Sequence, residues 1–507
     1  MCRLKVSREQ FLQTAASAVA GFSLPRIATG RPPASPAVLG DHALISQLNP
    51  VRRLYADKAI ELTGGAKLDK LEIALQMFGP GGFKWNISVA DPDTYDVALC
   101  YSGAVPGSQL ELRAGASAIT QDVPQTEGFY LPGESHWGDR RYLNFERVPL
   151  NGELRLSRGV NAITLQVNSP KNNDETFRLR SVELTPHSQE KTLEAAQELG
   201  RSRRASTDWF VKAGYGVWFH FLDITAPRRG PLKSYPEAVD TLDVEALASL
   251  VEETGAGYVI FNTNHGHPTC PAPIKSWEEL HPGWTTRRDL IADLADAFHR
   301  RGIRLLLYMN CPGLGNLEAV PGTARDNPTV SEEEYAAILT RVFTEIGLRY
   351  RDKVAGYWLD SWHQTDGSYP NLPFDKLFDA IKAGNPDRLI SYNTWAFPIE
   401  TDWQEYWCGE LTYLPAARFK ARYIQRGAGK GLQSHAAIRL DAPWFHIKLD
   451  SEMEPPVLTE AQLIGYVKSC NEDEAVVSIG VGIFQDGTIG EQSRQLLKTL
   501  RRAIRKG

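Results

Sequence analysis

The feature that most constrains this chain is a regular alternation, from about residue 208 onward, of short apolar runs with longer amphipathic stretches. The short runs have the length and the β-branched and aromatic content of buried strands, and the longer stretches have helical periodicity. Successive parallel strands need a helix-containing crossover between them, so the alternation predicts βα units and an α/β fold. Eight such units are the number that closes a (β/α)8 TIM-like barrel.

The pattern gives each unit a place along the chain. Strands are predicted at 215–220, 257–262, 303–308, 354–360, 389–393, 406–410, 434–438 and 475–479. Helices are predicted at 244–253, 288–301, 332–350, 374–383 and 460–469. The sixth and seventh units have the least regular pattern. The barrel is therefore predicted to occupy residues 208–507.

The segment before the barrel has a different pattern. Residues 51–187 contain short runs of alternating apolar and polar residues between polar turns, which indicates a β-sandwich. Residues 188–207 are charged, have a helical pattern and are predicted to connect the two domains. On the run 156–165 followed by 177–184, the sandwich resembles the galactose-binding-like fold of carbohydrate-binding modules. Such sandwiches bind a sugar or serve as packing domains, and the sequence leaves both roles open.

The N-terminus has the layout of an export signal. Basic residues within 3–8 precede an apolar, alanine-rich stretch at 11–24, which is too short to cross a bilayer. The start resembles a twin-arginine signal in which Glu9 takes the place of the second arginine. Residues 1–30 are therefore predicted to direct export, to the periplasm or the medium, and a disordered or helical tail is the alternative. The Pro- and Ala-rich residues 31–50 are predicted to be a linker.

Bulk composition excludes some classes of function. A net charge of -5 gives no basis for a nucleic-acid partner or for binding to an anionic membrane. The 6 cysteines have no metal-binding spacing, so mostly buried free thiols are expected, with a Cys270–Cys311 disulfide as an open alternative. The sequence implies no cofactor and gives no oligomeric state.

Barrel enzymes place catalysis at the C-terminal ends of their strands. Sugar hydroxyls need hydrogen-bonding groups, and sugar rings pack against aromatic faces. The strand ends of this chain offer both, together with two carboxylates: Trp218, His220, His265, Tyr308, Trp358, Asp360, Asn393, Glu410 and Trp444. Asp360 is the predicted nucleophile of a glycosidase, because the apolar run before it would lead its carboxylate out of the barrel core. Capping of the next helix is the alternative role.

A glycosidase needs a second carboxyl group, and the segment after the fifth strand offers three. Glu410 is the first choice, because it ends an aromatic run in which burial would keep its carboxyl protonated. Glu405 is the second choice and Glu400 the third, and a surface ion pair is the alternative role. His265 and His267 could instead indicate a metal, but no third ligand has a suitable spacing, so hydroxyl binding is preferred.

From residue 208 onward the chain resembles the α-L-fucosidase-like glycoside hydrolases of family 29. Five blocks carry the resemblance, in the family's order: residues 209–220, 258–265, 288–308, 357–360 and 478–489. The resemblance implies a retaining mechanism, in which Asp360 attacks the anomeric carbon and a glutamate serves as acid and then as base. It also implies that His220 and His265 bind sugar hydroxyls.

The chain departs from the family pattern at three places. Phe221 follows His220 where the family has tryptophan, residues 264–269 replace Lys-His-His-Asp-Gly-Phe, and Ser361 replaces a glycine. We expect these changes to lie around the sugar. The hypotheses are therefore an exo-acting α-L-fucosidase, the same type of enzyme on another α-linked sugar such as an α-L-galactoside, or a non-catalytic carbohydrate-binding protein. A glycan is the partner in each case.

Overall fold

This computed structural model describes residues 51–505 except for 70–73, 104–106, 127–144, 170–176, 316–329, 395–397, 411–420, 426–428 and 442–443. The predicted export signal and linker, residues 1–50, lie outside the described residues. The described chain forms an antiparallel β domain followed by a parallel β/α domain. These two parts have the architecture that the sequence predicts, a β-sandwich and a TIM-like barrel.

In the parts of the N-terminal domain that the structure describes, nine strands pair antiparallel in the order β6-β5-β8-β3-β9-β4-β7, with β1 on β9 and β2 on β3. They are β1 Arg52–Tyr55, β2 Glu61–Asp69, β3 Ala74–Val89, β4 Asp93–Gly103, β5 Gln109–Ala114, β6 Ser117–Asp122, β7 Glu146–Leu156, β8 Gly159–Asn168 and β9 Phe177–Pro186. The long β3 belongs to both layers, because its residues 75–77 pair with β9 and its residues 81–89 pair with β8. Inward side chains of both layers meet in one apolar core.

The C-terminal domain is built on seven parallel strands in the order β14-β13-β12-β11-β10-β16-β15. The strands are β10 Tyr215–Phe219, β11 Tyr258–Asn262, β12 Arg304–Asn310, β13 Val354–Asp360, β14 Leu389–Tyr392, β15 His435–Arg439 and β16 Val476–Val481. The α-helices of the described residues are α1 Glu190–Ser202, α2 Asp208–Ala213, α3 Tyr235–Thr241, α4 Val244–Thr254, α5 Lys275–Leu280, α6 Leu290–His299, α7 Glu332–Tyr350, α8 Trp362–Ser368, α9 Phe374–Lys382, α10 Glu460–Glu472 and α11 Glu491–Ile504. Helix α1 lies in the predicted connecting segment.

The predicted sixth strand, residues 406–410, is not a regular strand. Its two ends form isolated bridges to Gln433 and Ala437, and on its other side the backbone of Glu405 donates to Ile390 O at 2.9 Å. Gly409 explains the irregularity: its φ is +64°, and a Cβ there would lie 2.1 Å from a backbone oxygen of the neighbouring strand. The segment nevertheless fills the sixth place in the ring, between β14 and β15.

Strand alternation divides the barrel into an inner and an outer layer. Trp218, Tyr308 and Trp358 belong to the inner cluster, whereas their strand neighbours pack outward against the helices. The same period of two directs Asp360, two residues after Trp358, into the barrel at the C-terminal end of β13. The strand ends that the sequence singled out therefore meet at one face.

Helix ends follow local sequence signals. Asp243, Asp289 and Ser331 each accept a hydrogen bond from a backbone N–H in the first turn of the following helix. Thr459 and Gln462 form a reciprocal capping box at the start of α10. These caps place the helices that cover the outer face of the barrel. None of the helices in the described part of the chain has both the length and the apolar character that a bilayer crossing demands.

The cysteines that the structure describes are free and buried. Cys270 and Cys311, the pair that could have formed a disulfide, are both thiols. Cys2 lies outside the described residues.

A buried network of two arginines and two glutamates joins the sandwich to the barrel. Arg147 on β7 donates to Glu183 on β9 at 2.6 Å, to the barrel residue Glu400 at 3.2 Å and to the backbone oxygen of Ile399 at 3.3 Å. Arg53 on β1 approaches Glu400 at 2.9 Å. Burial alone would raise the pKa of Glu183, but the two guanidinium groups hold it below its ordinary value.

We expect Arg147→Ala to lower the free energy of unfolding by roughly 3 kcal/mol, because it leaves Glu183 and Glu400 buried with a single guanidinium. Thermal unfolding, monitored by circular dichroism, measures the effect. The matched control is Arg158→Ala on the same domain, whose ion pair with Asp91 is exposed, so a change below about 1 kcal/mol is expected. Equal effects of the two substitutions would contradict a buried network.

Candidate active site

Asp360 lies at the end of β13, and both of its carboxylate oxygens accept hydrogen bonds. Tyr308 donates its hydroxyl to Oδ2 at 2.5 Å, and Asn393 donates its Nδ2 to Oδ1 at 2.7 Å. Burial raises the pKa of Tyr308 well above its ordinary value, and the adjacent Asp360 adds to the effect, so the hydroxyl keeps its proton and acts as donor. The N-cap residue of the helix that follows is Ser361, not Asp360. Two donors therefore fix a carboxylate that faces into the barrel.

Ser361, which replaces the family's glycine, has φ +58°, a left-handed conformation that costs a non-glycine residue about 1 kcal/mol. Its hydroxyl contacts Asp360 Oδ2 at 3.3 Å and accepts a hydrogen bond from Asn310 at 3.1 Å. Asn310 is held in turn by Asn264, whose side-chain amide pairs with both backbone groups of Asn310. Serine is therefore less favourable than glycine for this backbone conformation, but its hydroxyl adds a hydrogen bond beside the carboxylate of Asp360.

Glu410 is joined to Asp360 through one side chain. Asn393 Nδ2 donates to Glu410 Oε2 at 2.5 Å as well as to Asp360 Oδ1 at 2.7 Å. The two hydrogen-bonded oxygens, Asp360 Oδ1 and Glu410 Oε2, therefore lie within the sum of these two distances, about 5 Å, which is closer than the roughly 6.5–9.5 Å between the carboxyl groups of inverting glycosidases. Burial, with repulsion from Asp360 second, raises the pKa of Glu410 to about 8. One carboxyl of the pair is thus protonated at neutral pH.

Aromatic side chains surround these groups. The ring of Tyr308 stacks on that of Trp358 at 5.5 Å between centroids, and Trp218 contacts Trp358 at 4.6 Å. Trp218 and Trp358 are almost fully buried in the inner layer of the barrel, so they form its packed interior beneath the carboxylates. Trp444, by contrast, is partly accessible and packs against Trp218 at 4.8 Å.

The two predicted histidines contact each other and the same aromatic cluster. The rings of His220 and His265 are 5.8 Å apart, and His265 stacks on Tyr308 at 6.0 Å. Burial lowers the pKa of His220 well below its ordinary value, and burial also lowers that of His265 although Asp360 opposes it. Both imidazoles are therefore neutral at pH 7, and each can donate one hydrogen bond and accept another.

Glu405 and Glu400 lie elsewhere. Glu405 is fully buried, accepts Lys382 Nζ at 2.6 Å and accepts the backbone N–H groups of Ala205 and Ile390. Glu400 belongs to the network between the domains. The backup choice of Glu405 as acid/base is therefore corrected to an internal ion pair. The alternation of side chains along the segment could have indicated this. Tyr406 and Cys408 point into the barrel, as does Glu410, so Glu405 points away from the barrel interior.

Three of the substituted residues, Phe221, Asn264 and His267, contact other protein groups, whereas they were expected to lie around the sugar. Phe221 is in the outer core against Phe261, because it follows an inward residue on an extended segment. Asn264 is bound to the backbone of Asn310, and His267 pairs with Asp223 at 2.6 Å. That hydrogen bond raises the pKa of His267.

Two residues at the site were missed by sequence reasoning. Phe445 contacts both histidines, with centroids 6.2 Å from His220 and 5.7 Å from His265. Arg439, at the end of β15, exerts an electrostatic pull that partly offsets the raised pKa of Glu410. Arg439 carries the same strand-end signal as the predicted residues, whereas Phe445 lies in a loop with no such signal.

Within the described ranges, one group of side chains has the spacing of metal ligands. It consists of Asp96, Glu153 and His187, all exposed on the sandwich. It is remote in the chain from the barrel site, and exposed acidic groups of this kind are common without an ion.

Comparison with known proteins gives one family and several structural neighbours. A family model described as Alpha-L-fucosidase matches residues 236–501. No curated protein matches the chain. A structure of alpha-L-fucosidase AlfC from Lactobacillus casei in complex with its alpha-L-fucose product aligns with 15% identity, over 58% of this chain and 97% of that one, with a TM-score of 0.41. An endo-fucoidan hydrolase of glycoside hydrolase family 107, MfFcnA4, aligns with 14% identity over 58% of this chain and 53% of its own, with a TM-score of 0.45.

The different surroundings of the two glutamates predict different responses to the same substitution. We expect Glu405→Gln to destabilise the protein by about 3–5 kcal/mol, because it leaves the buried Lys382 ammonium without an anion. Glu410→Gln should change stability little below pH 8, since glutamine has the shape and charge of the protonated glutamate. Thermal unfolding of both variants at pH 6.5 is the measurement. A large loss of stability in Glu410→Gln alone would reverse the two assignments.

Proposed function

This chain belongs to the alpha-L-fucosidase family and is a glycosidase, and from that premise we propose that it removes terminal α-L-fucosyl residues from glycans with retention of configuration. Asp360 is the nucleophile of this proposal and Glu410 the acid/base. The observation that carries it is the pair of hydrogen bonds from Asn393, which bring the two carboxyl groups within about 5 Å. An inverting enzyme needs a wider gap, which accommodates a water molecule between its carboxyl groups.

The environments of the two carboxyl groups support opposite roles. Asp360 accepts hydrogen bonds from Tyr308 and Asn393, which fix the orientation of the carboxylate for attack on carbon. Glu410, whose pKa is raised by burial, carries a proton at neutral pH. Two carboxyl groups held in different protonation states are what acid-assisted nucleophilic displacement requires.

The first step breaks the glycosidic bond. One oxygen of Asp360 forms a bond to the anomeric carbon, the bond to the leaving oxygen breaks, and Glu410 transfers its proton to that oxygen. In the second step water attacks the anomeric carbon, Glu410 takes a proton from the water, and the bond to Asp360 breaks. Both carboxyl groups return to their starting states. The neutral His220 and His265 would bind sugar hydroxyls beside this path, and the ring of Trp444 would pack against the sugar.

The choice among sugars is the finer part of the proposal. An α-L-galactoside carries one hydroxyl more than the fucoside, and an apolar pocket rejects an added hydroxyl by only about 10²-fold. We therefore expect activity on both, with the fucoside preferred. Export through residues 1–30 is also part of the proposal, and it would bring the enzyme to extracellular glycans.

Hydrolysis of 4-nitrophenyl α-L-fucopyranoside tests the mechanism. The wild type is expected to release α-L-fucose as the first anomer, as seen by ¹H NMR before mutarotation. Asp360→Asn should lose at least about 10⁴-fold in kcat, a magnitude typical of removing a nucleophile or its base. Parallel assays with α-L-galactoside, β-fucoside and α-D-mannoside define the sugar.

Other outcomes identify the alternatives. Initial release of the β-anomer would mean inversion and would contradict the retaining mechanism. Binding of fucose by calorimetry without turnover of any glycoside would favour a carbohydrate-binding protein. Unchanged activity in Asp360→Asn would remove Asp360 from the chemistry.

The pH dependence follows from the pKa of Glu410. The group acts as an acid only while protonated, and burial raises its pKa to about 8, so kcat/KM for a saccharide substrate should fall as the pH rises through about 8. In Glu410→Gln this alkaline decline should be absent, and the residual rate should be far higher for an aryl fucoside, whose leaving group needs no proton, than for a fucosyl disaccharide. An alkaline decline that persists in Glu410→Gln would assign it to another group.

A further inference from the structure

One side chain of the site contacts both carboxyl groups. We propose that Asn393 is a positioning residue rather than a sugar-binding residue, whose amide holds Asp360 and Glu410 at the spacing for double displacement. The sequence alone had placed Asn393 among the groups that bind the sugar. This inference rests on the proposed function, because the two carboxyl groups are the pair that the mechanism uses.

The amide nitrogen of Asn393 is committed to the two carboxyl groups. Its Nδ2 carries two hydrogens, and the distances of 2.7 Å to Asp360 Oδ1 and 2.5 Å to Glu410 Oε2 use one each. No hydrogen of Nδ2 is then left to donate to a sugar hydroxyl. To donate to a sugar hydroxyl, Nδ2 would have to give up one of its two hydrogen bonds to the carboxyl groups.

The backbone around Asn393 is fixed to the strand that carries Asp360. Its N–H donates to Leu359 O at 2.7 Å, and its carbonyl accepts from Trp362 N at 3.0 Å. These bonds flank Asp360 on both sides along the chain. These backbone hydrogen bonds fix the position of the Asn393 amide relative to Asp360. The side-chain hydrogen bond from Asn393 then positions Glu410.

The hydrogen bond also orders the proton of Glu410. Because Oε2 accepts from Asn393, the carboxyl proton resides on Oε1, and Oε1 is the oxygen that donates to the leaving group. Asp360 loses its negative charge when it bonds to carbon, and Glu410 gains one when it releases its proton. Asn393 donates to both groups, so it stabilises the single negative charge of the pair on either side of the step.

Other groups also face Asp360 and Glu410 and would remain in place after substitution of Asn393. Tyr308, Ser361 and His265 face Asp360, and Arg439 faces Glu410. The Asn393 hydrogen bond opposes the rise that burial and Asp360 impose on the pKa of Glu410. Loss of the amide should therefore raise the pKa of Glu410 further, and it should also allow the distance between Asp360 and Glu410 to increase.

The test is the pH profile of Asn393→Ala on an aryl and a disaccharide fucoside. We expect kcat to fall by about 10²-fold, as for loss of a preorganised donor, with KM nearly unchanged. The alkaline decline of kcat/KM should move to higher pH. Ser391→Ala is the matched control, since Ser391 lies on the same strand two residues earlier and bonds to Cys408 instead of a carboxyl group. It should leave both values and the profile unchanged.

The kinetic result that would overturn the proposal is an increase in KM with kcat and the alkaline decline unchanged, which would assign Asn393 to sugar binding.

Ligand-free crystal structures of the wild type and Asn393→Ala give a second measurement that does not depend on turnover. We expect the oxygens of Asp360 and Glu410 to move apart in the variant, and an unchanged separation would refute the positioning role. A wild type that is inactive on every glycoside would instead defeat the proposed function, and the crystallographic comparison would still decide the role of Asn393.

Discussion

The closeness of Asp360 and Glu410 is the constraint to which the rest of the site responds. Two partly buried carboxyl groups at this distance repel each other when both are ionised, and Glu410 keeps its proton at neutral pH. Tyr308 and Asn393 donate hydrogen bonds to Asp360, and Glu410 lies where burial raises its pKa. The neutral histidines nearby add hydrogen-bonding capacity without adding charge.

The barrel interior explains why this arrangement is possible. Its inner layer contains Trp218, Tyr308 and Trp358, whose rings pack against one another. Large rings fill the centre of a small barrel and keep water away from the carboxyl groups from below. The electrostatic interaction between the two carboxyl groups is then screened less than it would be in water.

Much of the fold could be predicted because apolar periodicity and chain order are local properties. Strand β13 and helix α7 have the predicted bounds, since the first is a continuous apolar run and the second is amphipathic between clear ends. The sixth strand was wrong in detail because the left-handed Gly409 interrupts an otherwise extended run. Asp360 and Glu410 could be named from strand ends, whereas the hydrogen bonds that join them through Asn393 depend on register across three strands. The role of Asn264 depends in the same way on a partner 46 residues away.

The network between Arg53, Arg147, Glu183 and Glu400 also constrains how the sequence of the two domains can change during evolution. Glu400, the barrel's member of the network, is buried against the two sandwich arginines, which also pair with Glu183, so a change at one position leaves an unmatched ion at the others. Neutral drift at these positions should then be slow, and accepted changes should come in matched pairs across the two domains. The sandwich and the barrel would evolve as one inherited unit, and exchanging either for a homologous domain would require the opposing half of the network to be exchanged with it.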